Sequence, residues 1–421
     1  MKKVLTTALF TSVFALFALP FASAEFDGDL LSKPHRIFEI GVDSNSMTAN
    51  SSFGLKDVLK KHIELDLKKL ADEMPNDGFS VAFNNSETAF INLNVSSRFR
   101  FSIFSGLESS GHFNIEKDIF DFLGNGMNVG EKKTVDVTGN ADIFYNMGIS
   151  FQTIIKGYGI KFKPSYFVPI AYVPKTTATS YVYTTEDGHI VAKAEANVDV
   201  YTSVDMHDFM EEKKSVDILD LSASNLLSNG GFDFAIEIER NWLHGLNAGL
   251  YTRIPLITGT LKNKMSTRVW AVFEETNALG YLNDTESHTN EHGHDDFVYS
   301  TNENLKVHRP LKLGLNATYM PFGDFFKIQP SVGLAVKNPF SSDSIFYPEY
   351  SLDFRLSLLH RIFNFNLGTA YQNQIFQQRI GFGLNLRVLE VIAQASMCGT
   401  NILASFDRNG YAALVGVRIG F

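Results

Sequence analysis

The sequence is short of several things at once. One cysteine, Cys398, in 421 residues rules out an intramolecular disulfide, even in a compartment that would permit one. Only two tryptophans occur, and outside the first 24 residues there is no apolar run long enough to cross a membrane as a helix. Mean hydropathy is −0.04, which excludes a bundle of membrane helices but not strands that hide their apolarity in alternation. Basic residues are outnumbered, 37 against 46 acidic, and two of the lysines fall in the first three positions. A nucleic acid is therefore not expected as a partner. No glycine-rich phosphate loop follows a strand, and there is no Cys-x-x-Cys or serine elbow. Neither an enzyme nor a cofactor is expected.

What is present begins with an export signal. Lys2 and Lys3 precede an apolar run from Val4 to Phe21, and Ala22-Ser23-Ala24 supplies a small-x-small cleavage site before Glu25. Residues 1–24 are read as a signal peptide. The chain closes on a second signal. Tyr411, Ala413, Val415, Val417, Ile419 and Phe421 share one face of an extended segment that ends on an aromatic, with Gly416, Arg418 and Gly420 opposite. This looks like the last strand of a bacterial outer-membrane barrel, with Phe421 as the assembly signal read by the barrel-assembly machinery.

Long alternation starts near Phe90. Ile91, Leu93, Val95, Phe99, Phe101 and Ile103 fall on one face and Asn92, Asn94, Ser96, Arg98, Arg100 and Ser102 on the other. Arginines inside a strand are costly against lipid and natural in a wet lumen, so Arg98 and Arg100 are expected to face the lumen. The same pattern marks strands at about 141–155, 158–173, 191–204, 231–239, 246–254, 266–275, 309–320, 325–336, 350–358, 362–371, 379–388, 389–397 and 411–421. With 90–104 these make fourteen, the even number a single-chain barrel with both ends in the periplasm requires. Parity places 105–140, 174–190, 240–245, 276–308, 337–349, 372–378 and 398–410 outside. It places 156–157, 255–265, 321–324 and 359–361 inside. The long segment 205–230 on the inner side is either a periplasmic appendage or hides two more strands.

Residues 25–85 are expected to form a small N-terminal plug, with 86–421 as the transmembrane β-barrel. A helix from Leu55 to Met74 would carry Leu55, Val58, Leu59 and Ile63 against the wall, while Phe38, Ile40 and Val42 before it and Phe79, Val81 and Phe83 after it alternate only briefly. Farther on, His112–Gly124 reads as a short amphipathic helix with Ile115, Ile119, Phe120, Phe122 and Leu123 on its apolar side. It either packs within its loop or dips into the barrel mouth. The segment 276–308 gathers Glu286, His288, Glu291, His292, His294, Asp295 and Asp296. His288, His292 and His294 are weak metal candidates, since no rigid element fixes their spacing; a polar outer loop is rich in such residues anyway.

Strand 158–173 stands apart because it contains Pro164 and Pro169, with Pro174 just beyond. Proline cannot donate to a ladder and a closed barrel has no free edge, so the wall is expected to bulge, kink or open here. The inner face is expected to pass from Gly159, Lys161 and Lys163 to Phe167, Pro169, Ala171 and Val173. A wall strand apolar on both faces suits plug packing or a hydrophobic ligand route. Pro164, Phe167, Pro169, Ala171 and Val173 are the candidate lateral gate. The competing reading ends the strand near Lys163 and gives 164–190 to an outer loop.

A third strand of this kind behind an N-terminal segment of hatch size, together with Arg309-Pro310-Leu311-Lys312-Leu313-Gly314-Leu315-Asn316-Ala317-Thr318-Tyr319, resembles the long-chain fatty-acid transporter (FadL-like) family of outer-membrane proteins. The helix-plus-barrel layout also resembles outer-membrane barrels of spirochaetes. The resemblance implies a monomer surrounded by outer-membrane lipid, with a kinked third strand and a hydrophobic or amphipathic small-molecule ligand that crosses by diffusion. The alternatives are a general porin for small hydrophilic solutes and a surface adhesin or antigenic scaffold built on outer loops.

Overall fold

The computed structural model describes residues 30–31, 36–52, 67–96, 98–126, 130–186, 189–204, 228–275, 289–341, 344–407 and 409–421. In chain order the strands are β1 (Phe38–Asn50), β2 (Phe79–Ser96), β3 (Phe99–Ile115), β4 (Lys132–Ile155), β5 (Tyr158–Thr184), β6 (Ile190–Thr202), β7 (Gly231–Leu243), β8 (Leu246–Ile257), β9 (Gly259–Glu275) and β10 (Thr289–His294). They continue as β11 (Val298–Val307), β12 (Leu311–Tyr319), β13 (Pro321–Asp324), β14 (Phe326–Lys337), β15 (Ile345–Leu358), β16 (Phe363–Gln372), β17 (Ile375–Leu386), β18 (Leu389–Gly399) and β19 (Gly410–Gly420). Among the described residues three short helices intervene: α1 (Leu67–Glu73), α2 (Asp118–Asn125) and α3 (Ile402–Phe406).

Every neighbouring pair is antiparallel, and the ladder closes on itself. From β1 it runs through β2, β3, β4, β5, β7, β8, β12, β14, β15, β16, β17, β18 and β19 back to β1, a closed barrel of fourteen strands. Closure removes the unpaired edge that an open sheet would present to lipid. The seam joins the chain's ends, from Glu39↔Gly420 to Ala49↔Gly410. The carbonyl of Phe421 accepts from the backbone N–H of Ile37 and Phe38, at 2.6 and 3.1 Å, and its ring lies 5.7 Å from that of Phe38.

Alternation decides which face meets lipid. On β19, Val415, Val417 and Ile419 are exposed on the outer face, while Arg418 turns inward to Asp43 at 3.1 Å. Ile91, Leu93, Phe99 and Ile103 are likewise exposed outside, and across the hairpin Ile91 stands opposite Ile103. Turns at the end that carries the termini are short. At Lys156-Gly157 both residues have positive φ, 49° and 81°, the twist a two-residue hairpin needs and glycine adopts without strain.

The strand count agrees with the sequence reading, but its membership does not. The barrel begins at Phe38 rather than at 86, because β1 and β2 are wall strands and not plug, and the predicted strand 90–104 is the hairpin of β2 and β3. Conversely, 191–204 and 231–239 are two halves of one wall strand, β6 above β7, and 246–254 and 266–275 lie on the successive strands β8 and β9. Two additions and two mergers cancel. The turn at 244–245 therefore sits at the terminal end with 156–157, not outside as parity assigned it. The flanks of segment 205–230, Thr202 and Gly231, lie at mid-wall rather than at the terminal end, and 205–227, where the appendage or the two further strands are expected, fall outside the described residues.

The predicted helix proves to belong to the connection from β1 to β2, at the end away from the termini. Its described part is α1, which packs on α2 there and bonds through Lys68 Nζ to Asn125 Oδ1 at 3.2 Å. Leu55, Val58, Leu59 and Ile63 lie outside the described residues. Residues 112–115 of the second predicted helix continue β3, and only Asp118–Asn125 is helical. There Phe122 packs on Val135 and Val182, with Ile115 and Ile119 beside them.

Candidate functional site

The wall is irregular at the proline-bearing strand. β5 does not stop at Lys163; it runs 27 residues, roughly 90 Å of chain at about 3.3 Å per residue, far more than the ~25 Å apolar band of such barrels. Its lower part pairs with β7, from Tyr158↔Arg240 to Phe167↔Gly231. From Ala171↔Thr202 it pairs with β6 instead. On its other edge the register with β4 shifts between Ile143 and Phe144, which stand opposite Ala171 and Pro169 and leave Ile170 as the extra residue of a bulge. Pro169 has no N–H to offer the ladder, and a bulge with a change of partner is the local answer to that deficit.

The bulge corrects the predicted inner face. Phe167 and Pro169 point inward, but after Ile170 the phase reverses. Ala171 and Val173 take the other face, and Tyr172 turns inward, where its hydroxyl accepts from Asn338 Nδ2 at 3.1 Å. Pro164, opposite Phe234, lies on the outer face below the break.

Behind the break lies a buried apolar cluster of Phe144, Phe167, Tyr172, Leu261 and Val307, flanked by Tyr201 and Leu305. Phe144 and Phe167 meet edge to face at 5.8 Å. Phe167, Leu261 and Val307 are fully buried. Two glycines make this approach possible. A Cβ at Gly231 would sit 2.5 Å from Phe167 Cζ, and one at Gly259 would sit 2.5 Å from Pro169 Cδ.

Directly beneath is a buried charge cluster. Arg309, between β11 and β12, reaches Asp233 on β7 at 2.7 Å and Glu108 on β3 at 2.6 Å, and Ser165 on β5 donates to the same Asp233. Arg253 stands 3.7 Å from Glu108, and its Nε donates to the Pro310 carbonyl at 2.9 Å. Lys337 holds Asp142 at 2.6 Å. Arg309, Asp233, Arg253, Lys337 and Asp142 are buried and Glu108 is partly exposed to the cavity; buried charges are tolerable only when paired and hydrogen-bonded, and these contacts tie five or more strands together across the lumen.

The rest of the lumen is a polar cavity of about 650 Å³. Arg100 lines it, whereas Arg98 lies exposed in the β2–β3 turn, away from the lumen. At the terminal end two residues before β1, Leu30 and Arg36, contact the inner wall. The Leu30 N–H donates to Glu239 Oε2 at 2.5 Å, its carbonyl accepts from Gln152 Nε2 at 2.7 Å, and its side chain rests on Gly159. Arg36, six residues on, binds Glu39 and Glu390 at 2.6 and 3.0 Å on the β1 and β18 side. The chain thus contacts both sides of this mouth. Alternation could not reveal this, because neither residue lies in a strand.

His292 and His294 stand on the same face of β10, exposed, with His294 Nδ1 2.9 Å from the Asp295 carbonyl; His288 lies outside the described residues. Among the described residues no three His, Cys, Asp or Glu side chains are grouped to hold a metal. On the neighbouring β6–β9 pair, hydrogen bonds from Arg268 hold the exposed Glu195 carboxyl below its usual range.

A fourteen-stranded closed barrel with apolar residues outward and charged residues inward defines a transmembrane β-barrel, the form in which strands cross outer membranes. No protein-family model and no curated protein matches the sequence. Among solved structures the chain is similar to the Ralstonia pickettii toluene transporter TbuX (8% identity, TM-score 0.41, 96% of each chain covered). It is also similar to the P. putida toluene transporter TodX (8%, 0.39, 93% of this chain and 94% of that one). The translocator domain of the autotransporter NalP from Neisseria meningitidis is another (10%, 0.32, 93% and 91%). The barrel assignment rests on the closed ladder itself.

Proposed function

We propose that this protein is an outer-membrane channel that passes small hydrophobic or amphipathic molecules by diffusion, with both termini in the periplasm and the break beside Pro169 as a lateral exit. The observation that carries this reading is the exchange of partners by β5 between Phe167 and Ala171, backed on the inner side by the Phe144, Phe167, Leu261 and Val307 cluster. In hydrocarbon an interrupted ladder costs several kcal/mol per unmet polar group unless protein or water shields it. An apolar lining at that point suits a ligand that leaves into lipid. No energy source or cofactor enters, and a monomer suffices.

Ser203 N–H donates to the Ile170 carbonyl at 2.9 Å across the break. Replacing both residues with cysteine in a Cys398→Ala background gives a reversible clamp. Uptake of a fluorescent alkyl probe into proteoliposomes should fall in the oxidised protein and return on reduction. Equal uptake in both states removes the exit from this position.

A general porin is the second reading, favoured by the charged lining of the 650 Å³ lumen. Liposome swelling in sugars at a rate typical of open porins, with no uptake of the alkyl probe, would select it.

A further inference from the structure

The protein is acidic overall, with a formal net charge of −9, yet its lumen is not. Among the described residues lining the cavity, eight are Lys or Arg and six are Asp or Glu. Most of these charges cancel in pairs, as Arg418 with Asp43 at 3.1 Å and Lys312 with Glu349 at 3.1 Å. The surplus is concentrated on one wall. Arg379 on β17 stands 3.8 Å from Asp353 on β15, and Arg355, two residues along the same face of β15 and exposed to the cavity, shares that carboxylate at longer range. Nearer the terminal end, Arg361 in the β15–β16 turn contacts Asp324, and Lys327 reaches the same carboxylate at 3.8 Å. Four cations thus stand around two carboxylates, Asp353 on β15 and the exposed Asp324 on β13 at the mouth.

We infer that this wall of the lumen, with Arg355, Arg379, Lys327 and Arg361 around Asp353 and Asp324, makes the cavity an anion-favouring compartment that selects solutes or amphiphile headgroups of negative charge. The physical reason is focusing: a cleft of low-dielectric walls lined by surplus charge of one sign raises the local concentration of the opposite sign. A unit charge about 7 Å from a passing ion in water changes its local concentration roughly threefold, so oppositely charged probes of equal size should differ by nearly the square of that. The inference rests on the lumen being reachable from solution, as the channel reading requires.

The test is charge-selective thiol modification inside the lumen. Ser351 lines the cavity on the same face of β15, bonded to Ser331 Oγ at 2.7 Å. Ser351→Cys in the Cys398→Ala background is reconstituted and treated with the sulfonate and the trimethylammonium methanethiosulfonates, each rate being normalised to a free thiol. The sulfonate should react several-fold faster after normalisation. The ratio should fall toward one in Arg355→Gln and in Arg361→Gln, and at high salt. Equal rates, or a faster ammonium reagent, overturn the anion preference while leaving a reachable channel. If neither reagent reacts, while both modify the same cysteine in the urea-unfolded protein, the lumen is closed to solutes and the channel reading falls with the inference.

Discussion

Arg309 Nη1 lies 2.7 Å from Asp233 Oδ2, joining the segment between β11 and β12 to the start of strand β7, with both side chains buried. The same guanidinium holds Glu108. One arginine therefore compensates two carboxylates just below the point where the wall strand is interrupted.

Arg309→Met would leave Asp233 and Glu108 without their main cation. Removing one partner of a buried pair costs about 3–5 kcal/mol, and the loss should appear as a lower urea midpoint for unfolding of the reconstituted barrel. The double variant Arg309→Met/Asp233→Asn should recover part of it. A single variant as stable as the parent would show that water reaches this cluster and screens it.

At Gly231 and Gly259 no side chain fits, since a Cβ at either would lie 2.5 Å from Phe167 or Pro169. Gly259→Val is expected to destabilise by about 1–3 kcal/mol through overpacking. Because the collision falls at the break rather than in a continuous ladder, the variant should still assemble as a heat-modifiable barrel. Loss of assembly on unboiled gels would mean that Gly259 is needed for folding, not only for the approach to Pro169.

Phe167→Ala removes the largest fully buried ring of the apolar cluster. A cost of about 3–5 kcal/mol is expected for a phenylalanine truncated in a packed core. If the cluster closes an exit, the variant should also take up the alkyl probe faster in proteoliposomes. Slower or unchanged uptake in an assembled variant would leave the cluster a structural seal only.

How much of this could be read from the chain differs from place to place. The lipid-facing pattern of β19, or of Ile91 to Ile103, was legible because one face is uniformly apolar and the other polar. β1 was not, since its apolar run ends at Val42 and Ser44, Ser46 and Thr48 follow on the same face. Polarity on both faces erases the period-two signal, so a wall strand looked like part of a plug. The proline defect was legible from covalent chemistry alone, because a missing donor must be accommodated wherever the strand goes. The side on which Ala171 and Val173 fall was not, because one bulge residue at Ile170 reverses every position beyond it. Arg309 and Asp233 were out of reach for a different reason: 76 residues separate them, and only the closure of the barrel brings them together.

Leu30 is the last test, and it concerns the mouth at the terminal end. Its side chain is buried against Gly159, and its backbone is held from two strands, by Glu239 at 2.5 Å and Gln152 at 2.7 Å, while Arg36 anchors the same stretch across the opening on Glu39 and Glu390. Leu30→Asp would set a second carboxylate beside Glu239 and remove apolar burial of about 1.5–3 kcal/mol, and both changes favour release of the segment. In planar bilayers the variant should show a larger single-channel conductance than the parent, and Leu30→Met, which keeps volume and apolarity, should not. Should Leu30→Asp conduct like the parent although its barrel assembles normally, Leu30 and Arg36 lie at the mouth without narrowing the path, and any occlusion of the lumen must be sought at the charge cluster around Arg309.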